Sequence, residues 1–341
     1  MCRWSWRDGT KNSYSMKRII DLEAGTAMVV TDLHGDWDAY QRYRDRFLML
    51  RANGRAHYLI ITGDLIHHEG DEADDKSLEM VLDVLALRQE LGKCLIYLLG
   101  NHELPHIYSI TLAKGKHLYT PRFEKAMGGY RAEIMTLFDN LPFYVRTKAG
   151  VMLCHAGAAP ELSTHNAFDI LNSFSHKAIL KEASLMLEER KRPYIRRAFA
   201  KMSQQAYEDI VYEYFGITSP QDPRYDDFLI GTWATSSNPH FELLWQALFT
   251  TNEKQEYEKP YSAIVQAMIQ GFSRDYHEQK VLVSGHLNCQ DGYTVVNNHQ
   301  LRLASAKHAL PRDSGQYLLF DVSEEVKTAA ELLPKLATVF R

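Results

Sequence analysis

Residues 58–69 have the sequence YLIITGDLIHHE, in which a short apolar run leads into polar side chains. The run from Tyr58 to Ile61 ends at Thr62 and Gly63, and the carboxylate of Asp64 follows at once. An apolar run of this length that is bounded by glycine is typical of a buried parallel strand. Ligands of open α/β sheets bind beyond the carboxyl ends of such strands. The stretch therefore predicts an α/β sheet with a functional carboxylate at a strand end.

The same pattern recurs four more times along the chain. The segments are MVVTDLHGD (28–36), LIYLLGNHE (95–103), VMLCHAG (151–157) and VLVSGH (281–286). In each segment the apolar run leads into an Asp, Asn or His. Because ligand sites gather at the carboxyl ends of strands, we predict that the five polar ends converge on one metal site.

Composition excludes several classes of protein. The chain has 341 residues, of which 45% are hydrophobic, and a net charge of −4, which argues against a nucleic-acid or anionic-membrane partner. No apolar run approaches the roughly 18 residues that span a bilayer. The four cysteines form no CxxC pair, which favours a reducing compartment, and we predict a cytoplasmic protein. The oligomeric state is left open.

The order of predicted elements indicates one domain. Strands and helices alternate in the first half, a charged helical block follows, and strands return from Lys280, which predicts two mixed β-sheets flanked by helices. We expect a loose tail at 1–16 and a single domain at 17–341 with a helical insert at about 165–275. Residues 17–30 resemble a strand pair that turns at Gly25, and Pro193 is expected to kink or end a helix.

The polar ends carry ligands for a transition metal. Asp32 and His34 are two residues apart, a spacing that puts both side chains on one side of an extended segment. The further candidates are Asp64, Asn101, His155 and His286. A mixed carboxylate, imidazole and amide set suits manganese, iron or zinc, and the absence of cysteine from these ends argues against a structural zinc site.

The ordered set DxH, GD, GNHE, His and GH resembles the calcineurin-like metallophosphoesterases. Over residues 27–323 it is most similar to serine/threonine protein phosphatases of the phosphoprotein phosphatase type. The segment Gly285-His286-Leu287-Asn288 has one histidine where other branches have GHxH, which favours the protein phosphatase branch. The resemblance implies an α/β (α+β) fold in which two mixed sheets pack as a sandwich between helices.

The resemblance also implies a dimetal phosphatase. Asp32, His34 and Asp64 would hold the first ion. Asp64, as a bridge, would hold the second with Asn101, His155 and His286. We expect two divalent ions, Mn²⁺ and/or Fe or Zn, and attack on a phosphate monoester by a hydroxide that bridges them. His102 is expected to protonate the leaving oxygen, and the substrate to be a phosphorylated protein or a small phosphoester.

One motif departs from the family pattern. The usual GDxxDRG is here GDLIHHEG, so His67 replaces the aspartate that braces the acid histidine, and His68 replaces a phosphate-binding arginine. We expect His68 and Asn101 to contact substrate, and Glu69 is an alternative brace. Asp36 either orients His34 or caps the following helix. Arg224 and Arg274 are candidates for a second phosphate-binding arginine.

Two other functions remain open from the sequence. The first is a phosphodiesterase or dinucleoside-polyphosphate hydrolase of the same superfamily, which the missing arginine keeps open. The second is a non-catalytic phospho-binding scaffold. The GNHE motif argues against the scaffold, because a scaffold has no need of His102.

Overall fold

Two β-sheets form the framework of the protein. The computed structural model describes residues 17–114, 117–249, 253 and 260–340, so the predicted tail at 1–16 lies outside the described residues. The strands of the two large sheets and of two short ribbons are β1 Ile19–Leu22, β2 Thr26–Val30, β3 Tyr58–Ile61, β4 Leu95–Tyr97, β5 Ala113–Lys114, β6 His117–Leu118, β7 Tyr144–Thr147, β8 Val151–Cys154, β9 Val281–Ser284, β10 Cys289–Gln290, β11 Tyr293–Asn297, β12 Gln300–Leu303, β13 Ala309–Leu310, β14 Tyr317–Asp321 and β15 Leu336–Ala337.

Both large sheets mix parallel and antiparallel neighbours, as the sequence predicted. The five-stranded sheet has the order β15-β14-β2-β3-β4, with β2, β3 and β4 parallel. The six-stranded sheet has the order β1-β7-β8-β9-β12-β11, with β8, β9 and β12 parallel. The carboxyl ends of each parallel set meet at one edge of their sheet.

The alternation of side chains along each strand builds two apolar layers. Val29 and Ile60 of the five-stranded sheet belong to one buried cluster with Leu153 and Val283 of the six-stranded sheet, so the sheets pack as a sandwich. Their neighbours along the strands, such as Met28, belong to a second cluster shared with the helices. The predicted fold class is therefore confirmed.

Helices cover the outside of the sandwich and fill the connection between β8 and β9. They are α1 Trp37–Ala52, α2 Ser77–Leu91, α3 Leu104–Tyr108, α4 Tyr119–Met127, α5 Arg131–Asp139, α6 Ala167–Asn172, α7 His176–Met186, α8 Arg192–Ser203, α9 Tyr207–Phe215, α10 Asp227–Ser237, α11 Pro239–Leu248 and α12 Tyr261–Gly271. Part of the block has a small core of its own, which includes Tyr207, Val211 and Phe228. No helix in the described ranges is long and apolar enough to cross a membrane.

Two local predictions are wrong. Residues 17–30 do form two strands around Gly25, but β1 pairs with β7 in one sheet and β2 pairs with β3 in the other. The positive φ of Gly25, 109°, belongs to the crossing from one sheet to the other. Pro193 neither kinks nor ends a helix. It lies in the first turn of α8, where its missing N–H has no intrahelical partner to lose.

Candidate metal centre

The polar residues that follow five strands come together at one edge of the sandwich. The loops after β2 and β3 are joined by backbone hydrogen bonds, such as His34 N to Asp64 O at 3.0 Å, and the loop after β4 joins them through the backbone N–H of His102, which donates to Oδ1 of Asp64. The two sheets are joined as well, because the backbone N–H of His286 donates to both carboxylate oxygens of Asp32 at 3.0 Å. Three overlapping groups of ligand atoms result, each within 4.8 Å: Asp32, His34 and His308; His34, Asp64 and His102; and Asp64, His155 and His286.

An unusual backbone conformation aims these side chains. Non-glycine residues with positive φ are uncommon, and holding one costs about 1–3 kcal/mol. At this edge they are Asp32 (39°), His34 (45°), Asp64 (52°), His67 (75°) and His286 (70°). Each comes shortly after a strand end, where the left-handed conformation turns the chain sharply.

Two glycines let the ends of β3 and β4 touch. A Cβ atom on Gly63 would lie 2.7 Å from the Cα of Gly100 and 2.9 Å from Nδ1 of His155. Gly63 also has a φ of 104°, which side chains rarely adopt. The close approach brings Asp64 next to the loop that carries Asn101 and His102.

Asp64 occupies the centre of the site. Its Oδ2 lies 3.5 Å from Nε2 of His34 and 3.5 Å from Nε2 of His155, and its Oδ1 accepts from the backbone N–H of His102 at 2.9 Å. Burial, with the charges of Glu103 and Asp32, raises the pKa of Asp64 well above its usual range. One buried carboxylate thus faces two imidazole groups. A cation bound between them would stabilise its ionised form.

The contact between His155 and Asn101 also suits a cation. Nδ1 of His155 donates to the carbonyl of Thr62 at 3.0 Å. In the neutral ring the other nitrogen, Nε2, therefore carries a lone pair and can only accept. That nitrogen lies 2.8 Å from Oδ1 of Asn101, so two acceptors face each other. Burial lowers the pKa of His155 to about 3, so the ring stays neutral and ready to bind a metal.

His34 and Asp32 are two further buried residues with ligand atoms. Both ring nitrogens of His34 are buried and without a hydrogen-bond partner among the residues that the structure describes. Burial, with neighbouring imidazoles, lowers the pKa of His34 well below its usual range. Burial raises the pKa of Asp32 to about 7. Buried ligand atoms of this kind fit divalent metal ions, which would satisfy them.

His308 is a site residue that the motif analysis missed. Its Nε2 lies 3.8 Å from Oδ1 of Asp32, and its Nδ1 lies 2.8 Å from Oδ1 of Asn288. Asn288 occupies the position of the second histidine of GHxH. Its side chain contacts His308, so a histidine from another loop lies near that position. No local sequence signal marks His308, because its place depends on β12 pairing parallel to β9, and the carboxyl end of β12 then leads to His308 at the same edge.

Glu103 is the last residue of GNHE, and its role is visible only in the structure. Its buried carboxylate accepts from the backbone N–H groups of Asp64, Leu65 and Gly100, each at 3.0 Å, and from the hydroxyl of Tyr97 at 2.7 Å. It therefore ties the loop after β3 to the loop after β4. Four donors around one acid are the physical reason for the fourth residue of GNHE.

The residues predicted around the ligands have definite places. Nδ1 of His67 lies 3.1 Å from Nδ1 of His102, the position of a brace, whereas Glu69 forms an ion pair with Lys307. Asp36 caps α1, since its Oδ1 accepts from the backbone N–H of Ala39 at 3.0 Å.

One of the predicted phosphate contacts, Arg274, is wrong. His68 is half-buried, and its carbonyl accepts from Arg122 at 3.2 Å. Arg274 precedes β9, at the other end of that strand from His286, and pairs with Asp169 at 2.7 Å, so it was wrongly proposed as a phosphate ligand. Arg224 pairs with Asp222 between α9 and α10. Lys307 is a cation beside the site, and its charge contributes to the lowered pKa of His34.

Comparison with known families agrees with this geometry. The model of the calcineurin-like phosphoesterases matches residues 25–217, more than half of the chain. The chain belongs to this family. It is therefore a metal-dependent phosphoesterase, and its family uses divalent metal ions. No curated protein matches the chain.

Several solved structures are similar to this chain. A protein serine/threonine phosphatase from Saccharomyces cerevisiae, with similarity to human phosphatase PP5, is 12% identical with a TM-score of 0.49, covering 89% of this chain and 76% of that one. The cold-active protein-tyrosine phosphatase of a psychrophile Shewanella sp. is 14% identical with a TM-score of 0.45, covering 89% and 78%. A metallophosphoesterase from Sphaerobacter thermophilus is 11% identical with a TM-score of 0.34, covering 91% and 92%.

Proposed function

We propose that this chain is a two-metal phosphomonoesterase of the serine/threonine protein phosphatase type. The observation that carries the proposal is the position of Asp64, whose Oδ2 is 3.5 Å from Nε2 of both His34 and His155. A carboxylate between two imidazole groups is suited to bridge two ions. Bound there, two divalent ions would polarise the phosphoryl oxygens and lower the pKa of water.

The ligands divide between the two ions. Asp32 and His34 would hold one ion with Asp64, and His308 would join them, because its ligand nitrogen lies within 4.8 Å of the ligand atoms of Asp32 and His34. Asn101, His155 and His286 would hold the other ion with Asp64. These donors suit Mn²⁺, Fe or Zn.

His102 handles the proton of the leaving group. Its Nε2 lies 3.9 Å from Oδ2 of Asp64, and its side chain is 13% exposed, so the ring faces the carboxylate that would bridge the ions and is still partly open to solvent. A proton on Nε2 can pass to the oxygen that leaves the phosphorus. The backbone N–H of His102 is held on Oδ1 of Asp64, which fixes the start of this side chain.

A small phosphoester is the second candidate substrate. The segment after Asp64 offers His67 and His68 in place of the aspartate and arginine of the family, and a planar arginine fork binds phosphate better than an imidazole does. Lys307, already paired with Glu69, supplies a point charge instead. This altered set is the reason for testing a compact ester or a phosphodiester beside a phosphopeptide.

The test is Asp64→Asn, which keeps the shape of the side chain and removes the shared charge. We expect hydrolysis of an aryl phosphate in Mn²⁺ to fall at least about 100-fold, because several kcal/mol of charge stabilisation are lost, and bound metal to fall below two ions per chain. Asp313→Asn is the matched control, since that side chain is 69% exposed and pairs only with Arg312 among the described residues.

Each outcome of this assay has a meaning. Full activity in Asp64→Asn would rule out the two-metal proposal. Faster hydrolysis of a bis-aryl phosphate than of the monoester by the unaltered protein would replace the monoesterase with a diesterase. Release of phosphate from phosphopeptides would support the protein phosphatase branch.

A further inference from the structure

A row of hydrogen-bonded side chains runs from His102 into the protein interior. Nδ1 of His102 meets Nδ1 of His67 at 3.1 Å, and Nε2 of His67 meets Nε2 of His106 at 2.9 Å. Nδ1 of His106 then meets Oε1 of Glu124 at 2.8 Å. Arg131 closes the row with a 2.8 Å bond from Nε to Oε2 of Glu124.

The middle of the row, from His67 to Glu124, is sealed from solvent. The side chains of His106 and Glu124 are 0% and 1% exposed. The ring of Tyr119 stacks on His67 with 5.3 Å between centroids, and Phe123 packs edge-on against both His67 and His106. Such packing leaves the three imidazoles few alternative orientations.

The carboxylate at the inner end sets the direction of every bond in the row. An ionised Glu124 only accepts, so Nδ1 of His106 donates to it, and a neutral His106 ring then has its lone pair at Nε2. His67 must then donate from Nε2 and accept at Nδ1, and His102 must donate from Nδ1. The Nε2 atom of His102, which faces Asp64, is left as the site where a proton is taken up or released.

Arg131 and His106 keep that carboxylate ionised. Burial alone would raise the pKa of Glu124, but the hydrogen bonds from His106 and Arg131, together with the charge of Arg131, hold it below its usual value. Burial likewise holds the pKa of His67 well below its usual range, which keeps the middle of the row neutral.

We propose that His67, His106 and Glu124 are positioning residues that fix the ring orientation and tautomer of His102 from a distance of two imidazoles. This inference rests on the proposed function, in which His102 protonates the leaving oxygen. The row does with two rings and a glutamate what a single aspartate at position 67 would do by direct contact. The missing aspartate of GDLIHHEG is thus replaced by an acid from α4.

The experiment compares leaving groups in two Glu124 variants. Glu124→Leu removes the acceptor, and we expect kcat on phenyl phosphate, a poor leaving group, to fall about 100-fold, the usual range of general acid catalysis. On 4-nitrophenyl phosphate, which needs little protonation, we expect a fall of about threefold or less, with KM unchanged on both esters. Glu124→Gln keeps an acceptor oxygen toward His106 and should restore most of the lost rate.

The matched control is His176→Phe, which removes a buried histidine that bonds to Tyr108 at 3.1 Å instead of to the row. Equal losses on both esters, or a pattern the same as that of His176→Phe, would show a merely structural role and overturn the proposal. If Glu124→Leu fails to fold, Glu124→Gln and the wild-type spectrum below still decide.

Nitrogen-15 NMR of histidine-labelled protein gives a readout that does not depend on activity. We expect the neutral His102 ring to carry its proton on Nδ1, and Glu124→Leu to mix the two tautomers. A wild-type ring protonated on Nε2 would overturn the proposal. If the wild-type protein hydrolyses neither ester, the proposed function fails, while the spectrum still reports on the row.

Discussion

At the scale of single residues, the site is defined by lone pairs that face one another. Asn101 and His155 present acceptors 2.8 Å apart, and Asp64 lies between two neutral imidazoles. His308 adds a further nitrogen beside Asp32. Because Asn288 contacts the other nitrogen of that ring, we expect its exposed amide to orient His308 as a ligand of the proposed metal centre.

His308→Ala tests this arrangement at the level of metal content. We expect the variant to keep one ion per chain firmly and to bind the other more than about 10- to 100-fold more weakly, because that is the range for residues that only support ligands and His308 is proposed as a ligand itself. Asn288→Ala should show the smaller loss, because the ring remains. Titration with Mn²⁺ followed by calorimetry measures both affinities.

The control for this pair is His240→Ala, which removes an exposed histidine of α11. Two unchanged affinities in His308→Ala would exclude His308 from the metal centre.

At the scale of elements, the strand ends depend on close backbone contact. Gly63 and Gly100 allow β3 and β4 to meet, and Glu103 ties their loops together. The strand ends themselves were predictable from local sequence, because at each one a short apolar run is followed by a polar residue. The role of His308 was not, since it depends on β12 lying beside β9, a pairing that is not local in sequence.

Other errors at this scale have the same origin. Nothing in residues 17–30 distinguishes a hairpin from two strands that enter different sheets, because the partner of β1 is β7, more than a hundred residues later. Proline gives two signals, since it breaks a helix interior and suits a first turn, and the position of α8 decides between them.

Gly63→Ala tests the contact between strand ends. We expect it to lower the free energy of unfolding by about 2–4 kcal/mol, the sum of the backbone penalty and the overpacking against Gly100. Gly54→Ala is the control, because Gly54 also has a positive φ, 69°, but its added Cβ would meet nothing within 4 Å. It should cost about 1 kcal/mol. Equal losses in urea unfolding would mean that the contact is unimportant.

At the scale of the whole molecule, the sandwich and the helices share one apolar core. The largest buried cluster joins Met152 and Leu282 of the six-stranded sheet to Phe168, Phe241 and Phe272 of the helical block. We infer from this continuity that the described part of 17–341 is one catalytic domain with its helical insert attached. Buried histidines are distributed through the same interior.

These histidines predict how stability depends on pH. His176 lies away from the metal centre, and burial lowers its pKa well below the usual 6.5. Below pH 6.5 the unfolded chain therefore binds a proton at His176 that the folded chain does not. The contribution of neutral His176 to stability is complete above pH 6.5 and is lost as pH falls. Each such histidine contributes a slope of about 1.4 kcal/mol per pH unit.

Urea unfolding of the metal-free protein at pH 7.5, 6.5 and 5.5 measures this slope. We expect His176→Phe to reduce it by about one proton, and replacement of the exposed His240 with Gln to leave it unchanged. An unchanged slope in His176→Phe would mean that His176 is charged in the folded state.

The ligands come from both layers of the sandwich. Asp32, Asp64 and Asn101 follow strands of the five-stranded sheet, whereas His155 and His286 follow strands of the six-stranded sheet. An ion held by both sets would fasten the layers together at one edge, so metal binding and layer packing form a single linked equilibrium. The supply of metal around the protein would then govern its lifetime as well as its turnover, and a chelator would act on it as a mild denaturant.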